Sequence, residues 1–285
     1  MITRIIIIIL CFFSPAKAQE LISTAQGLSN RWATCLVQDD AGMMWIGTIN
    51  GLNRYDGYET KPYFTPQISN NNVICLLKDR SGLLWAGTGN GLNSIDVKTG
   101  NIVKITHPDQ RNTLVVRSIF QRASGQIIIC DQNGMVFTVT NTNQLVPLVK
   151  IPDVTATTNK LPSPVDYIKE DKNKVLWFIT EFGFIYRYDG KTLVSKNVMP
   201  TRIKYDYPKT LHIISTDTLL VGSRYSGLYY YAFRYNKRYT TPFLDSLNRI
   251  SKLVYVTAEQ EKDHYWITYV DLKVMKVNLA QNTML

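Results

Sequence analysis

The sequence predicts an all-β protein, a β-propeller of about six four-stranded blades, and leaves open whether the ring is complete or incomplete. Three observations carry this. The phrase Asp39-Asp40-Ala41-Gly42-Met43-Met44-Trp45-Ile46-Gly47-Thr48 returns 40 residues later as Asp79-Arg80-Ser81-Gly82-Leu83-Leu84-Trp85-Ala86-Gly87-Thr88. Glycine turns cut each copy into short β-compatible runs. A large apolar slot then recurs at positions 45, 85, 128, 177, 220 and 266, so the period continues at 40 to 49 residues. Four short strands per unit, repeated at about 40 residues, are the signature of propeller blades.

The elements follow in order. In the first unit a β-run at 33–38 ends in an Asp-x-x-Gly turn at 39–42, where Asp bonds its own backbone and Gly tolerates positive φ. A second run at 43–48 carries Trp45, a turn at Gly51 follows, and runs ending at Tyr55-Asp56 and covering 59–64 complete the unit. The second unit repeats this at 73–78, 79–82, 83–88, Gly91, Ile95-Asp96 and 102–106. In the third, Ile128 fills the slot and Gly134 keeps the second turn; in the fourth, Trp177 is followed by Gly183 and Tyr188-Asp189-Gly190. The fifth is marked by Leu220, Gly222 and Gly227, and the sixth by Trp266 and a strand at 273–278. No blade can bury both faces alone, so the slot residue is expected to fill the gap to the next blade. The segment 20–24 is β-compatible and could supply the outer strand of the last blade, closing six blades into a ring and removing a sheet edge; otherwise a seventh blade is missing and an edge stays exposed.

The N-terminus stands apart from the repeat. Arg4, the apolar run 5–13, Ser14-Pro15 and Ala16-Lys17-Ala18 have the layout of a secretory signal peptide at 1–18, with cleavage after Ala18. The propeller then occupies 19–285. As a helix the apolar run spans only ~14 Å, too short for a bilayer core of about 30 Å, and no later stretch has transmembrane length. The mature chain is therefore expected in the periplasm. Loss of Arg4 and Lys17 lowers the net charge from +10 to +8. A positive field favours anionic partners, but export argues against nucleic acid and no basic run exceeds two residues. Cys35 and Cys75 occupy equivalent places on adjacent blades, too far apart for a disulfide, which needs Cα atoms within about 7 Å. With Cys130 they are expected to be buried free thiols.

The chain shows no sign of catalysis. His107, His212 and His264 lie on three different blades without metal-ligand spacing. No phosphate loop, nucleophile elbow or dinucleotide fingerprint occurs. The Asp39/Asp40 and Glu170/Asp171 pairs recur at the blade turn, which favours a hairpin role over acid–base work. No metal, cofactor or catalytic residue is expected, and the protein is expected not to be an enzyme.

The string Asp-x-x-Gly-x-x-Trp-Ile-Gly-Thr-x-x-Gly-Leu-x-x-Tyr-Asp-Gly at 39–57, with the lead-in Gly27-Leu28-Ser29-Asn30, resembles the two-component regulator propeller repeat. That repeat builds the periplasmic sensor half of hybrid two-component histidine kinases in glycan-degrading Bacteroidetes. Family members usually carry about twice as many blades, an immunoglobulin-like domain, a membrane helix and a kinase. The given chain shows none of those added parts, so it is expected to be a truncated sensor or a propeller working alone. The resemblance implies recognition of an oligosaccharide on the face formed by loops entering the innermost strands and loops joining second to third strands. There the candidate ligand-binding residues are Asn30, Arg31, Trp32, Asn71, Asn72, Arg111, Asn112, Glu181, Phe182, Arg224, Tyr225 and Tyr269. Aromatic faces stack on sugars, and amide and guanidinium groups bind hydroxyls or carboxylates. Two other readings stand beside this one: a scaffold that docks an envelope protein or self-associates, and a propeller lyase or hydrolase.

Overall fold

The computed structural model describes residues 22–156, 159–198, 206–251, 254–261, 264–269 and 274–284. The signal-peptide expectation at 1–18 lies outside them. Six four-stranded antiparallel sheets follow one another along the chain, each with its strands in sequence order. They span 33–63, 73–105, 116–150, 165–197, 208–239 and 254–284. We number these sheets as blades 1 to 6. In blade 1 the strands Ala33–Gln38, Met44–Thr48, Gly51–Tyr55 and Thr60–Tyr63 pair as a meander. All six slot residues, Trp45, Trp85, Ile128, Trp177, Leu220 and Trp266, stand on the second strand of their blade.

The first strands of successive blades touch one another from blade 1 through blade 6 and form the inner wall. Between each consecutive pair lies one apolar core. Trp45 packs against Leu76, Leu84 and Ala86 of blade 2, and Trp85 against Ile119, Ile127 and Ile129 of blade 3. Ile128 meets Ile168 and Phe178 of blade 4, Trp177 meets Leu211 and Val221 of blade 5, and Leu220 meets Tyr265 and Ile267 of blade 6. Strand alternation explains this division, because successive side chains leave opposite faces and each blade offers one face to either neighbour.

The Asp of the repeat does more than turn the chain. Oδ1 of Asp39 accepts from the Ala41 and Met43 backbone N–H groups, while Oδ2 accepts from Trp45 Nε1 at 2.8 Å. Asp79 holds Trp85 at 2.8 Å and Asp171 holds Trp177 at 3.1 Å in the same way. Each buried carboxylate thus satisfies the turn and the indole together. The other member of each pair bridges blades, Asp40 to Lys78 and Glu170 to Arg122 at 2.7 Å.

Gly87 in the Trp-x-Gly-Thr segment is required by close approach. A Cβ there would lie 2.6 Å from Cys75 Sγ and 2.7 Å from a Val116 methyl of the next blade. Cys35, Cys75 and Cys130 are free thiols, with Cys130 buried and the other two half-buried. Burial pushes the Cys75 and Cys130 thiols well above their ordinary range. In the native protein both are expected to resist a thiol-specific disulfide reagent at mildly alkaline pH and to react fully on unfolding. Prompt labelling of either in the folded chain, located by mass spectrometry, would contradict this packing.

One expectation is corrected. The described residues 22–24 do not form the outer strand of blade 6; Thr24 opens a short 3-10 turn, Thr24–Gln26, capped by Ser23, and 20–21 lie outside the described residues. The fourth strand is Thr283–Met284, paired with Val274–Asn278 of its own blade. The chain turns back locally because Asn278 Oδ1 accepts from Gln281 N and Asn282 takes a left-handed φ of 54°. Two insertions were not read from the sequence: a hairpin of Val154–Ala156 and Asn159–Leu161, and a helix at Pro242–Ile250 before blade 6.

Candidate functional site

Antiparallel order puts all lead-in segments and all turns between second and third strands at one end of the molecule, here called the upper rim. Direct bonds tie the two sets together. Gly51 N donates to Asn71 O at 2.6 Å, Gly91 N to Leu114 O at 2.7 Å, and Gly89 N to Asn72 O at 2.8 Å.

A buried polar triangle fixes each of the first two lead-ins. In blade 2, Ser69 N donates to Asn93 Oδ1 at 2.9 Å, and Asn93 Nδ2 donates to Ser69 Oγ at 2.9 Å and Ala86 O at 3.2 Å. Thr88 Oγ1 lies 3.0 Å from Ser69 Oγ. Ser29, Thr48 and Asn53 repeat this arrangement in blade 1. These residues aim the rim without reaching it. Their repetition at a fixed offset was a sequence signal for a built lead-in.

Eleven of the twelve expected ligand residues stand at the rim surface, exposed or half-exposed. Asn30 Oδ1 accepts from Trp32 N at 2.9 Å, a local turn that presents the Trp32 ring with 62% of its surface exposed. Arg31 is exposed as well. Asn71 Oδ1 accepts from Thr65 N at 2.8 Å, and the neighbouring Asn72 is exposed. Arg111 makes a bidentate pair with Asp109 at 3.1 and 3.2 Å, and Asn112 donates to the same carboxylate. That carboxyl is held below its usual range chiefly by the hydrogen bond from Arg111. Glu181 is exposed and Phe182 half-buried in the turn of blade 4.

Blade 5 carries the most organised group. Asp206, fully buried, accepts from Tyr225 N at 2.8 Å and Ser226 N at 3.1 Å and bonds the Ser226 hydroxyl. This braces a turn on which the Arg224 guanidinium sits 5.3 Å over the Tyr225 ring. The sequence reading missed Asp206, because nothing in its local pattern sets it apart from a loop aspartate. Tyr269 is placed differently from the other eleven. Only 3% of it is exposed, and it packs with Tyr265 and Ile267 in the core between blades 5 and 6. His212 is likewise buried, edge-on to Tyr265 at 4.9 Å.

A groove of about 880 Å³ opens at the opposite end, between blades 2 and 3. Trp85, Leu83 and Ile127 form its apolar wall, and Ser124, Gln126, Thr140, Asn141 and Asn143 supply hydroxyl and amide groups. Among the described residues no group of three or more His, Cys, Asp or Glu side chains could hold a metal. Among them, too, no helix is long and apolar enough to cross a membrane, which says nothing of strands.

Comparison with known proteins agrees with the repeat. The family profile of the two component regulator propeller matches residues 27–50 and 67–90, the lead-in through second turn of blades 1 and 2. No curated protein sequence matches the chain. Its fold is similar to the extracellular domain of a hybrid two component system from B. thetaiotaomicron, at 17% identity and TM-score 0.69. That match covers 92% of this chain and 36% of the other, so the chain spans about a third of that domain. It is equally similar to a catalytically inactive virginiamycin B lyase from Staphylococcus aureus, at 17% identity and TM-score 0.69, covering 94% and 86%. PorZ, a surface component of the type-IX secretion system of Porphyromonas gingivalis, matches at 13% identity and TM-score 0.63, covering 86% and 38%. At such identities the likeness is one of fold.

Proposed function

We propose that this chain, a two-component regulator propeller domain resembling the extracellular sensor domains of hybrid two-component systems, is an exported ligand-sensing ring that recognises an oligosaccharide at its upper rim. The observation that carries the reading is the braced Arg224–Tyr225 pair of blade 5, a stacked guanidinium and ring exposed on a turn that buried Asp206 holds in place. A sugar ring can stack on such an aromatic face while the guanidinium takes a hydroxyl pair or a carboxylate. On blade 1 the sequence neighbours Arg31 and Trp32 are both exposed and offer a guanidinium and an aromatic face as well. Arg111 is already paired with Asp109, so Arg31 and Arg224 are the guanidiniums offered to a ligand, and they favour acidic over neutral oligosaccharides.

Titration against a panel of neutral and uronate-containing oligosaccharides by calorimetry tests this. Micromolar-to-millimolar binding is expected, and the double change Arg224→Ala with Tyr225→Ala should weaken it about tenfold or more, ~1.4 kcal/mol at least. Binding that ignores those changes but falls with Asn141→Ala and Gln126→Ala would move the site to the groove between blades 2 and 3. A folded chain that binds no member of the panel would remove the sensing proposal. The lyase reading is supported by the fold likeness to a virginiamycin B lyase, and no group of three or more His, Cys, Asp or Glu that could hold a metal occurs among the described residues.

A further inference from the structure

Strand pairing in blade 1 sets two cations directly opposite one another. Arg54 on the third strand is the cross-strand partner of Lys61 on the fourth. Like charges in that position repel, so the pair costs stability unless something negative lies with it. Among the described residues no other pair of third and fourth strands is like-charged. Arg187 of blade 4 stands opposite its slot Trp177 as Arg54 stands opposite Trp45. It faces the neutral Val194, however, and pairs with Asp189 at 3.9 Å.

An aromatic floor holds both cations of blade 1 in place. Arg54 Cζ lies 5.9 Å from the Trp45 ring centre, and Lys61 Nζ lies 5.5 Å from that of Tyr63. The two ring centres are 5.6 Å apart. A guanidinium stacked on a ring keeps its in-plane N–H groups for an acceptor, and Arg54 Nε is buried without a hydrogen-bond partner among the described residues. A cavity of about 220 Å³ is lined by Trp45, Arg54, Lys61 and Tyr63 and, from a turn of blade 2, by Lys98 and Thr99. It lies at the end away from the rim, and no carboxylate lines it. Among the described residues no ion pair reaches Arg54, Lys61 or Lys98. Asp56 and Glu59 border Arg54 and Lys61 in a separate hollow of about 230 Å³. Asp56 Oδ1 there accepts from Tyr58 N and Glu59 N at 2.8 Å, and Asp96 Oδ1 accepts from Lys98 N at 2.9 Å, so both carboxylates hold turns.

We infer that this cavity between blades 1 and 2 binds a tetrahedral oxyanion, phosphate or sulfate, either free or as the ester of a sugar. Arg54 supplies paired N–H donors, and Lys61 and Lys98 supply further charge. Three cations around one cavity exceed what a single carboxylate meets, and a doubly charged group matches them better. The equivalent cavity of the next junction, the groove beside Trp85, has no cation in its lining. Ser94 and Val103 stand there in the places of Arg54 and Lys61. The charge therefore belongs to this one site and not to the repeat. The inference does not depend on the ligand proposed at the rim.

Thermal unfolding and calorimetry of the full chain test this, with sodium phosphate or sodium sulfate at low millimolar concentration against chloride of equal ionic strength. The midpoint is expected to rise with either oxyanion beyond the chloride control, and calorimetry to give a saturable site. Lys61→Gln should weaken that binding about tenfold or more, as the loss of a charged hydrogen-bond donor does, and adding Lys98→Gln should weaken it further. In the anion-free chain at low salt, Lys61→Gln is expected to raise the midpoint, because it removes the repulsion from Arg54. A lysine with a merely structural role would lower it. Glucosyl phosphate run beside the inorganic ions separates the sources: tighter binding of the ester assigns the site to a sugar-borne group, and equal binding assigns it to the free ion. A folded chain that responds to neither oxyanion beyond chloride would overturn the inference. So would binding that survives the double change, or that falls instead with Arg224→Ala at the rim.

Discussion

Trp177→Ala is expected to lower stability by about 3–5 kcal/mol, the range for deleting a buried large aromatic. Trp177 is 1% exposed, meets Phe233 edge-on at 4.9 Å, and fills the junction to Leu211 and Val221. Asp171 loses its indole donor but keeps the Asn173 and Val175 backbone N–H groups, so the cavity dominates the loss over an orphaned charge. Against a typical total of about 5–15 kcal/mol, this one change removes a large share. Trp266→Ala, at a slot side chain that is 41% exposed, should cost less, roughly 1 kcal/mol. Guanidinium-induced unfolding of both variants beside the parent checks the pair. Equal losses would mean that burial of the slot side chain does not set its contribution.

Sequence and structure agree where the period is sharp, for identifiable reasons. The first strands at 33–38 and 73–78 are bounded as expected because an Asp-x-x-Gly turn follows each directly. The link from Asp39 to Trp45 was not legible, although both residues stand out. It joins positions six apart across a hairpin, and only the pairing of Val37 with Trp45 brings the indole under the turn. Tyr269 was placed at the rim because it ends a strand before a turn. Its alternation with Tyr265 and Ile267 was the better guide, since residues two apart share a face and that face is core. The helix at Pro242–Ile250 carried its own start signal, Thr241 as cap with Pro242 in the first turn, inside what reads by period as a plain loop. The rim is legible as a set of loops because antiparallel order dictates it. Asp206, which shapes blade 5, is visible only once burial is known.

Asn93→Ala is expected to cost about 2–4 kcal/mol, the sum of several unmet buried groups at roughly 1–3 kcal/mol each. The asparagine is fully buried and serves three partners at once, the N–H and hydroxyl of Ser69 and the carbonyl of Ala86. Alanine leaves the Ser69 N–H and the Ala86 carbonyl without that partner in a place water does not reach, while Thr88 still holds the Ser69 hydroxyl. Ser69→Ala alone keeps the Asn93 contacts to its own N–H and to Ala86, so it should cost less. Because both changes act on one triangle, the double variant should lose less than the two single losses together. The lead-in that follows Ser69 carries Asn71 and Asn72, and this triangle is its side-chain anchor beside the backbone bonds from Gly51 and Gly89. Amide hydrogen exchange at Ser69 to Asn72 is therefore expected to quicken in Asn93→Ala well beyond the change at the slot strand Leu83–Thr88. Uniform quickening across both segments would show global destabilisation instead, and would deny the triangle its role in setting the rim.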